Sequence, residues 1–125
     1  EYYLLLKDIA DQFPGQLGYY SRGKTFEELK LLFKLPFSGM GFDSNIKLKN
    51  VFDSNYKGFI QGNFDEKNML LEGQEFTEEL KKFSNSISEI HNRDGWVCGL
   101  GHGINKNTPQ KNVHIFIEHI RKSFS

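Results

Sequence analysis

The sequence lacks the features that mark several classes of protein. Its 125 residues contain one cysteine, Cys98, which excludes an internal disulfide framework and a metal site built on several cysteines. No apolar run approaches the roughly 18 to 20 residues of a membrane span, and no signal peptide is visible. Basic and acidic residues number 16 each, so no basic stripe for nucleic acid is indicated. We therefore expect a cytoplasmic protein without membrane or nucleic-acid partners.

Aromatic side chains, by contrast, are abundant. They make up 14% of the residues, and 12 of them are phenylalanine. The chain starts at Glu1 without an initiator methionine, and the residues that follow already have a helical pattern. No internal domain boundary is visible, so residues 1–125 are interpreted as one segment. We expect this segment to belong to a longer protein, which would cover its apolar faces.

Short apolar strands and amphipathic helices alternate along the chain. Strands are predicted to begin near residues 17, 39, 58 and 96. Apolar residues at helical spacing predict helices over residues 2–13, 26–35, 46–52, 76–90 and 113–124. Thr25 and Glu28 match a capping box, and Thr108 followed by Pro109 predicts the start of the last helix. The order predicts an α/β fold of four βα units around a parallel sheet.

Two architectures fit four parallel strands of this kind. One is a small doubly wound sheet of the flavodoxin type. The other is half of a (β/α)₈ barrel, because a whole barrel needs about 250 residues. The bulky residues and glycines in the strands do not decide between the two, although the start of the chain favours the half-barrel.

In both architectures ligands bind beyond the carboxyl ends of the strands, where this chain carries polar side chains. These are Ser21, Arg22, Lys24, Asp43, Ser44, Asn45, Gln61, Asn63, Asp65, His102 and Asn105. We expect them to face one pocket. Arg22 and Lys24 are either ligands for an anion or ordinary surface charges. Three roles are open for Asp43: a general base, an anchor for neighbouring groups, or a helix cap.

His102 is the main candidate for a binding residue, because it lies in a glycine-rich turn. Gly99, Gly101 and Gly103 allow the backbone to turn sharply and a flat ligand to approach closely. The spacing matches neither the dinucleotide fingerprint nor the Walker loop. The residues alone leave two interpretations open: a ligand contact, or a loop histidine that has no task or only caps a carbonyl group.

The other histidines and the cysteine are given structural roles. His91, His114 and His119 share no metal-ligand spacing, so no metal site is predicted. Cys98 is predicted to lie inside the fourth strand as a small buried apolar group.

Three segments resemble the uroporphyrinogen decarboxylase family. Residues 96–124 contain a hydrophobic strand, Leu-Gly-His-Gly at residues 100–103, a polar spacer, a proline and a final helix, as the end of that family does. Residues 59–65 are similar to its Leu-Gln-Gly-Asn-hydrophobic-Asp strand end, and residues 41–43 to its Gly-Leu-Asp. The order and spacing match over essentially the whole chain. Two departures are Ser44-Asn45, where the family has Trp-Thr, and Glu66, where it has proline.

The resemblance implies a TIM (β/α)₈ barrel, of which this chain is the C-terminal half. It implies a lyase of porphyrin and heme biosynthesis that removes the carboxyl groups of the four acetate side chains of uroporphyrinogen III. The product is coproporphyrinogen III, and no cofactor is needed. The family resemblance makes His102 a contact of the tetrapyrrole substrate, and the full-length protein is expected to be a homodimer.

The family's substrate-binding arginines, its pyrrole-binding aspartate and its tyrosine lie in an N-terminal half without counterpart here. No catalytic residue is therefore assigned to this chain, and the isolated chain is expected to be inactive. Two alternatives remain: a related barrel methyltransferase of corrinoid or thiol metabolism, and a non-enzymatic half-barrel that binds a partner. The first typically uses zinc with histidine and cysteine ligands, and a single mid-strand Cys98 speaks against it.

Overall fold

Strands and helices alternate through residues 2–125, which are the residues that the computed structural model describes. The elements are α1 (Tyr2–Gln12), β1 (Gly18–Tyr20), α2 (Phe26–Lys30), β2 (Gly39–Gly41), α3 (Leu48–Asp53), β3 (Phe59–Gln61), a 3-10 helix (Glu66–Leu70), α4 (Gly73–Ser88), β4 (Trp96–Val97) and α5 (Gln110–Phe124). The strands form one sheet in the order β1-β2-β3-β4, and each neighbouring pair is parallel. The predicted α/β class and its four βα units are confirmed.

One face of the sheet is covered by the helices. The row Tyr19, Met40, Ile60 and Trp96 is in register across the four strands, and Met40 and Ile60 are buried. They pack with apolar side chains of the helices and connections, among them Leu29, Leu32, Val51, Ile87 and Ile90. This cluster contains most of the buried apolar residues, and burial of apolar surface is the main stabilising term of such a fold.

A second cluster holds the connection between β3 and β4. Phe64, Met69, Phe76 and Leu80 are its buried members. The buried Asn112 of α5 donates two hydrogen bonds from its Nδ2 atom to the carbonyl oxygens of Met69 and Leu71, both at 2.8 Å. The long connection between β3 and α4 is therefore ordered, since it contains the 3-10 helix and is tied to α5.

Several predicted boundaries need correction. The second helix is a five-residue α-helix that ends at Lys30, and the chain to Pro36 continues in tighter turns such as Phe33 N to Lys30 O. Its predicted capping box is confirmed. The N-cap of α5 is Pro109 and not Thr108, whose hydroxyl is buried without a hydrogen-bond partner. None of the helices within residues 2–125 is long and apolar enough to cross a bilayer.

Candidate functional site

The face of the sheet opposite the helices is open. Tyr20, Gly41, Gln61 and Val97 form one row on this face, at the carboxyl ends of the strands. Tyr20 and Val97 are 42% and 45% exposed although both lie in strands. A cavity of about 640 Å³ occupies this face, and Gln61 and His102 contribute to its wall. A concave, largely apolar surface of this size is the usual form of a small-molecule site.

Aromatic rings from neighbouring strands form the floor of the cavity over the glycines of β2. A Cβ atom on Gly39 would lie 2.1 Å from the ring of Phe59, so only glycine leaves room for that ring. A Cβ atom on Gly41 would lie 3.2 Å from the Tyr20 ring. Strand β2 therefore contributes backbone to the floor, while β1 and β3 contribute the side chains.

The loop after β4 crosses the carboxyl ends of the strands. The amide of Phe64 donates to Gly99 O at 3.1 Å, and the amide of Gly101 donates to Phe64 O at 2.7 Å. Gly101 then packs against the end of β2, where an added Cβ would lie 2.6 Å from the amide nitrogen of Ser44. This close approach requires glycine and places the next residue, His102, at the cavity.

His102 contacts Tyr20, which comes from the opposite edge of the sheet. The phenol oxygen of Tyr20 donates to Gly101 O at 2.6 Å and lies 3.2 Å from His102 Nδ1. The two rings are stacked, with centroids 6.1 Å apart and planes at 25°. Burial raises the pKa of the Tyr20 phenol above its usual value, and the negative charge of Asp43 raises it further. Tyr20 therefore stays protonated at neutral pH.

Asp43 serves as an anchor for two loops. It is only 4% exposed, and its carboxylate accepts hydrogen bonds from the amides of Gly23 at 2.7 Å and Asn45 at 3.0 Å. The buried Asn63 donates from Nδ2 to the carbonyl oxygens of Asp43 and Ile46. These bonds hold the β1–α2 and β2–α3 loops together below His102. Of the three roles left open for Asp43, the geometry favours the anchor.

Arg22 pairs with an acidic side chain near the strand ends. Its guanidinium lies 3.8 Å from the carboxylate of Glu66, and its side chain is 55% exposed whereas that of Glu66 is largely buried. The charge of Arg22 opposes the effect of Asp43 on the Tyr20 pKa. Glu66 thus holds a partly exposed positive charge near the strand ends.

The expectation of a single pocket is only partly met. Gln61 and His102 line the cavity, but Ser44, Asn63 and Asp65 line a separate hollow of about 500 Å³ beside α3 and α4. Other predicted residues make local contacts instead. Asp65 caps the 3-10 helix, Asn105 accepts from the amide of Asn107, and Lys24 lies over the ring of Tyr2.

Tyr20 is the residue of this site that the sequence analysis missed. The sequence pattern assigns Tyr20 to a strand and to no site, because an aromatic residue in a strand most often belongs to the core. The alternation of Gly18, Tyr19 and Tyr20 was the available signal, since it places Tyr20 on the face opposite Tyr19.

Side chains of the types that can ligate metals are dispersed in this structure. Within residues 2–125 there is no group of three or more His, Cys, Asp or Glu side chains that could hold a metal ion. His119 contacts Ser84 Oγ through Nε2 at 2.9 Å, between α5 and α4. Cys98 lies just beyond β4 and not inside it, and it is partly buried. That burial raises the pKa of the thiol to about 12.

Comparison with known proteins gives one consistent family. The family model described as uroporphyrinogen decarboxylase matches residues 3–123. Uroporphyrinogen decarboxylases of Rickettsia africae, Rickettsia conorii and Rickettsia canadensis are 29%, 27% and 28% identical to the chain over 118 residues. Each match covers 94% of this chain but only 32% or 33% of the relative. The chain thus spans about a third of the length of these curated relatives, and it belongs to the uroporphyrinogen decarboxylase family.

Proposed function

We propose that this chain is the C-terminal part of a uroporphyrinogen decarboxylase. The observation that carries the proposal is the family match over residues 3–123, in which the strand-end histidine lies at an open cavity. The four strands would form half of a (β/α)₈ barrel, with the cavity on the inner side. The carboxyl ends of the strands are where barrel enzymes place their active sites.

The proposed reaction replaces a carboxyl group with a proton. In each of four steps, the bond between an acetate methylene and its carboxylate breaks, and the electron pair enters a pyrrole ring protonated on carbon. The methylene then gains a proton and becomes a methyl group, the ring carbon loses the proton that it had gained, and CO₂ leaves. The protein must stabilise the positive charge of the protonated ring, and such electrostatic stabilisation needs no cofactor. Cofactor independence is part of the proposal.

His102 is proposed to bind the tetrapyrrole. Uroporphyrinogen carries eight carboxylates and pyrrole N–H groups, so an imidazole at the cavity wall can donate to a carboxylate when protonated or accept from a pyrrole N–H when neutral. The exposed position of His102 above the aromatic floor supports this role. No catalytic residue is proposed within the chain, and the main chemistry is assigned to the remainder of the longer protein.

The full-length protein provides the test. Incubated anaerobically with uroporphyrinogen III, it should yield coproporphyrinogen III, with products separated by their number of carboxyl groups. Replacing His102 with Asn should slow removal of the later acetates about tenfold, since a hydrogen bond to a charged group is lost. His114→Asn is the matched control, because His114 is exposed on α5. If His102→Asn removes all four acetates at the wild-type rates, His102 does not belong to the site.

The isolated 125-residue chain should convert no uroporphyrinogen, because the cavity is open on the side away from the sheet. Turnover by the isolated chain would contradict this assignment. Methyl transfer by the full-length protein, or binding without any reaction, would instead favour one of the two alternative functions. The homodimer expected for the full-length protein belongs to the same proposal and is tested by sedimentation.

A further inference from the structure

Tyr20 makes contacts that its position in the strand does not require. It ends β1, whereas Gly101 and His102 follow β4 at the other edge of the sheet. Its phenol oxygen lies within hydrogen-bond distance of both residues. Phenylalanine would place the same ring over Gly41 without either contact. The hydroxyl therefore has a role that the packing of the ring does not explain.

The number of protons on these groups determines the direction of both hydrogen bonds. A phenol has one proton, and a carbonyl oxygen can only accept. The bond from Tyr20 to Gly101 O, at 2.6 Å, therefore uses the phenol proton. Towards His102 the phenol oxygen can then only accept, so Nδ1 must carry a hydrogen atom. In the neutral ring, Nε2 is the nitrogen without a proton.

The other side of the imidazole is available to a ligand. Within residues 2–125, His102 has a hydrogen bond through Nδ1 only. The ring borders the cavity together with Tyr20 and Gln61. When neutral, its Nε2 accepts a hydrogen bond from a ligand N–H group, and when protonated it donates one to a carboxylate. In both states the Tyr20 oxygen accepts from Nδ1, so the ring keeps one orientation.

We infer that Tyr20 is a positioning residue, which holds His102 in the tautomer protonated on Nδ1 and leaves Nε2 for the substrate. The identity of the substrate rests on the proposed function, but the assignment of the tautomer rests on the two contacts of the Tyr20 hydroxyl. Tyr20 acts through His102 and is not assigned to the chemical step. The stacked rings and the bond to Gly101 also fix the loop that carries His102.

The first test measures the tautomer directly. The full-length protein, labelled with ¹⁵N in histidine, is studied by NMR at a pH at which its histidine rings are neutral. The signals of His102 are assigned by their loss in His102→Asn. We expect a protonated Nδ1 and an unprotonated Nε2 in the wild type. If Nε2 carries the proton of the neutral ring in the wild type, the inference is wrong, and no Tyr20 variant is needed to show it.

The second test removes the hydroxyl. In Tyr20→Phe the imidazole should populate both tautomers, whereas Tyr56→Phe should leave the wild-type signals unchanged. Tyr56 is a suitable control because its buried hydroxyl has no hydrogen-bond partner and it lies outside the cavity. An unchanged tautomer in Tyr20→Phe would refute the positioning role.

Kinetics connect the tautomer to binding. In Tyr20→Phe, the KM for uroporphyrinogen should rise about two- to tenfold, the range of one neutral hydrogen bond, with a smaller change in kcat. A shifted tautomer with an unchanged KM would contradict a role in substrate binding. If the wild-type protein does not convert uroporphyrinogen, the proposed function fails, while the NMR result still decides the role of Tyr20.

Discussion

Cys98 is a residue outside the cavity whose chemistry is altered by burial. It is partly buried beside the end of β4, and burial raises its thiol pKa to about 12 from the ordinary value of 9.0. The thiolate is the reactive form, so a raised pKa lowers reactivity at every pH below 12. The expectation of a small buried group inside the fourth strand was wrong about its place, since β4 ends at Val97, and the side chain is only partly buried.

Alkylation measures this effect. With a pKa of about 12, roughly one Cys98 thiol in 10⁴ is expected to be ionised at pH 8 in the folded protein, against about one in 10 at the ordinary value of 9.0. Iodoacetamide should therefore modify native Cys98 at least 100-fold more slowly than the urea-unfolded chain. The native rate should still rise with pH up to pH 10. A native rate close to that of the unfolded chain would show that the thiol is not shielded.

At the scale of elements, β2 has an unusual part in the sheet. Two of its three residues are glycines whose missing side chains make room for Phe59 and Tyr20 of the neighbouring strands. The strand thus stabilises the sheet through its backbone hydrogen bonds and through Met40 on the covered face. On the cavity side, the rings of neighbouring strands lie over its glycines. A search for apolar periodicity does not detect this arrangement.

Gly39→Ala should destabilise the protein by about 1–3 kcal/mol, because the added methyl group would overlap the Phe59 ring and force it to move. Gly103→Ala is the control, since an added Cβ there meets no atom within 4 Å and its backbone is not left-handed. Urea unfolding of both variants measures the difference in the free energy of unfolding. Equal stabilities would mean that Phe59 does not occupy the space above Gly39.

The sequence predicted the order and type of the elements well, but their ends less well. Amphipathic spacing was enough for α4 and α5, since a long apolar stripe must face a core. It also placed α1, although much of the apolar stripe of that helix is exposed in this chain. The helix expected over residues 26–35 ends early, because tertiary packing of Leu32 and Leu35 is achieved by tighter turns. The contact between Tyr20 and His102 was beyond prediction, since it depends on strand order and on the path of the loop.

The whole molecule is a sheet with one covered face and one open face. Its edge strands are β1 and β4, and Tyr20, Val97 and Ile104 expose apolar surface on the open side. Helix α1 adds further exposed apolar side chains, Leu4, Leu5, Ile9 and Phe13. Unpaired strand edges and extended apolar patches favour association with other chains.

The isolated chain should therefore self-associate. Sedimentation velocity at increasing protein concentration is expected to show species heavier than the 14.5 kDa monomer, and an apolar fluorescent dye should bind to the chain. The full-length protein should bind the dye much more weakly per molecule, because the barrel would cover the open face. If the chain stays monomeric at high concentration and does not bind the dye, this expectation is wrong.

The hydrogen bond between Tyr20 and Gly101 also constrains the order of events during synthesis. It joins residues 81 positions apart, so it cannot form until residue 101 has left the ribosome. Closing so long a loop is slow relative to forming the helices, whose contacts are local. Strand β1 is therefore synthesised well before the loop that its last residue contacts, with three more strands made in between. The cavity wall that holds His102 is completed only after that loop has been made.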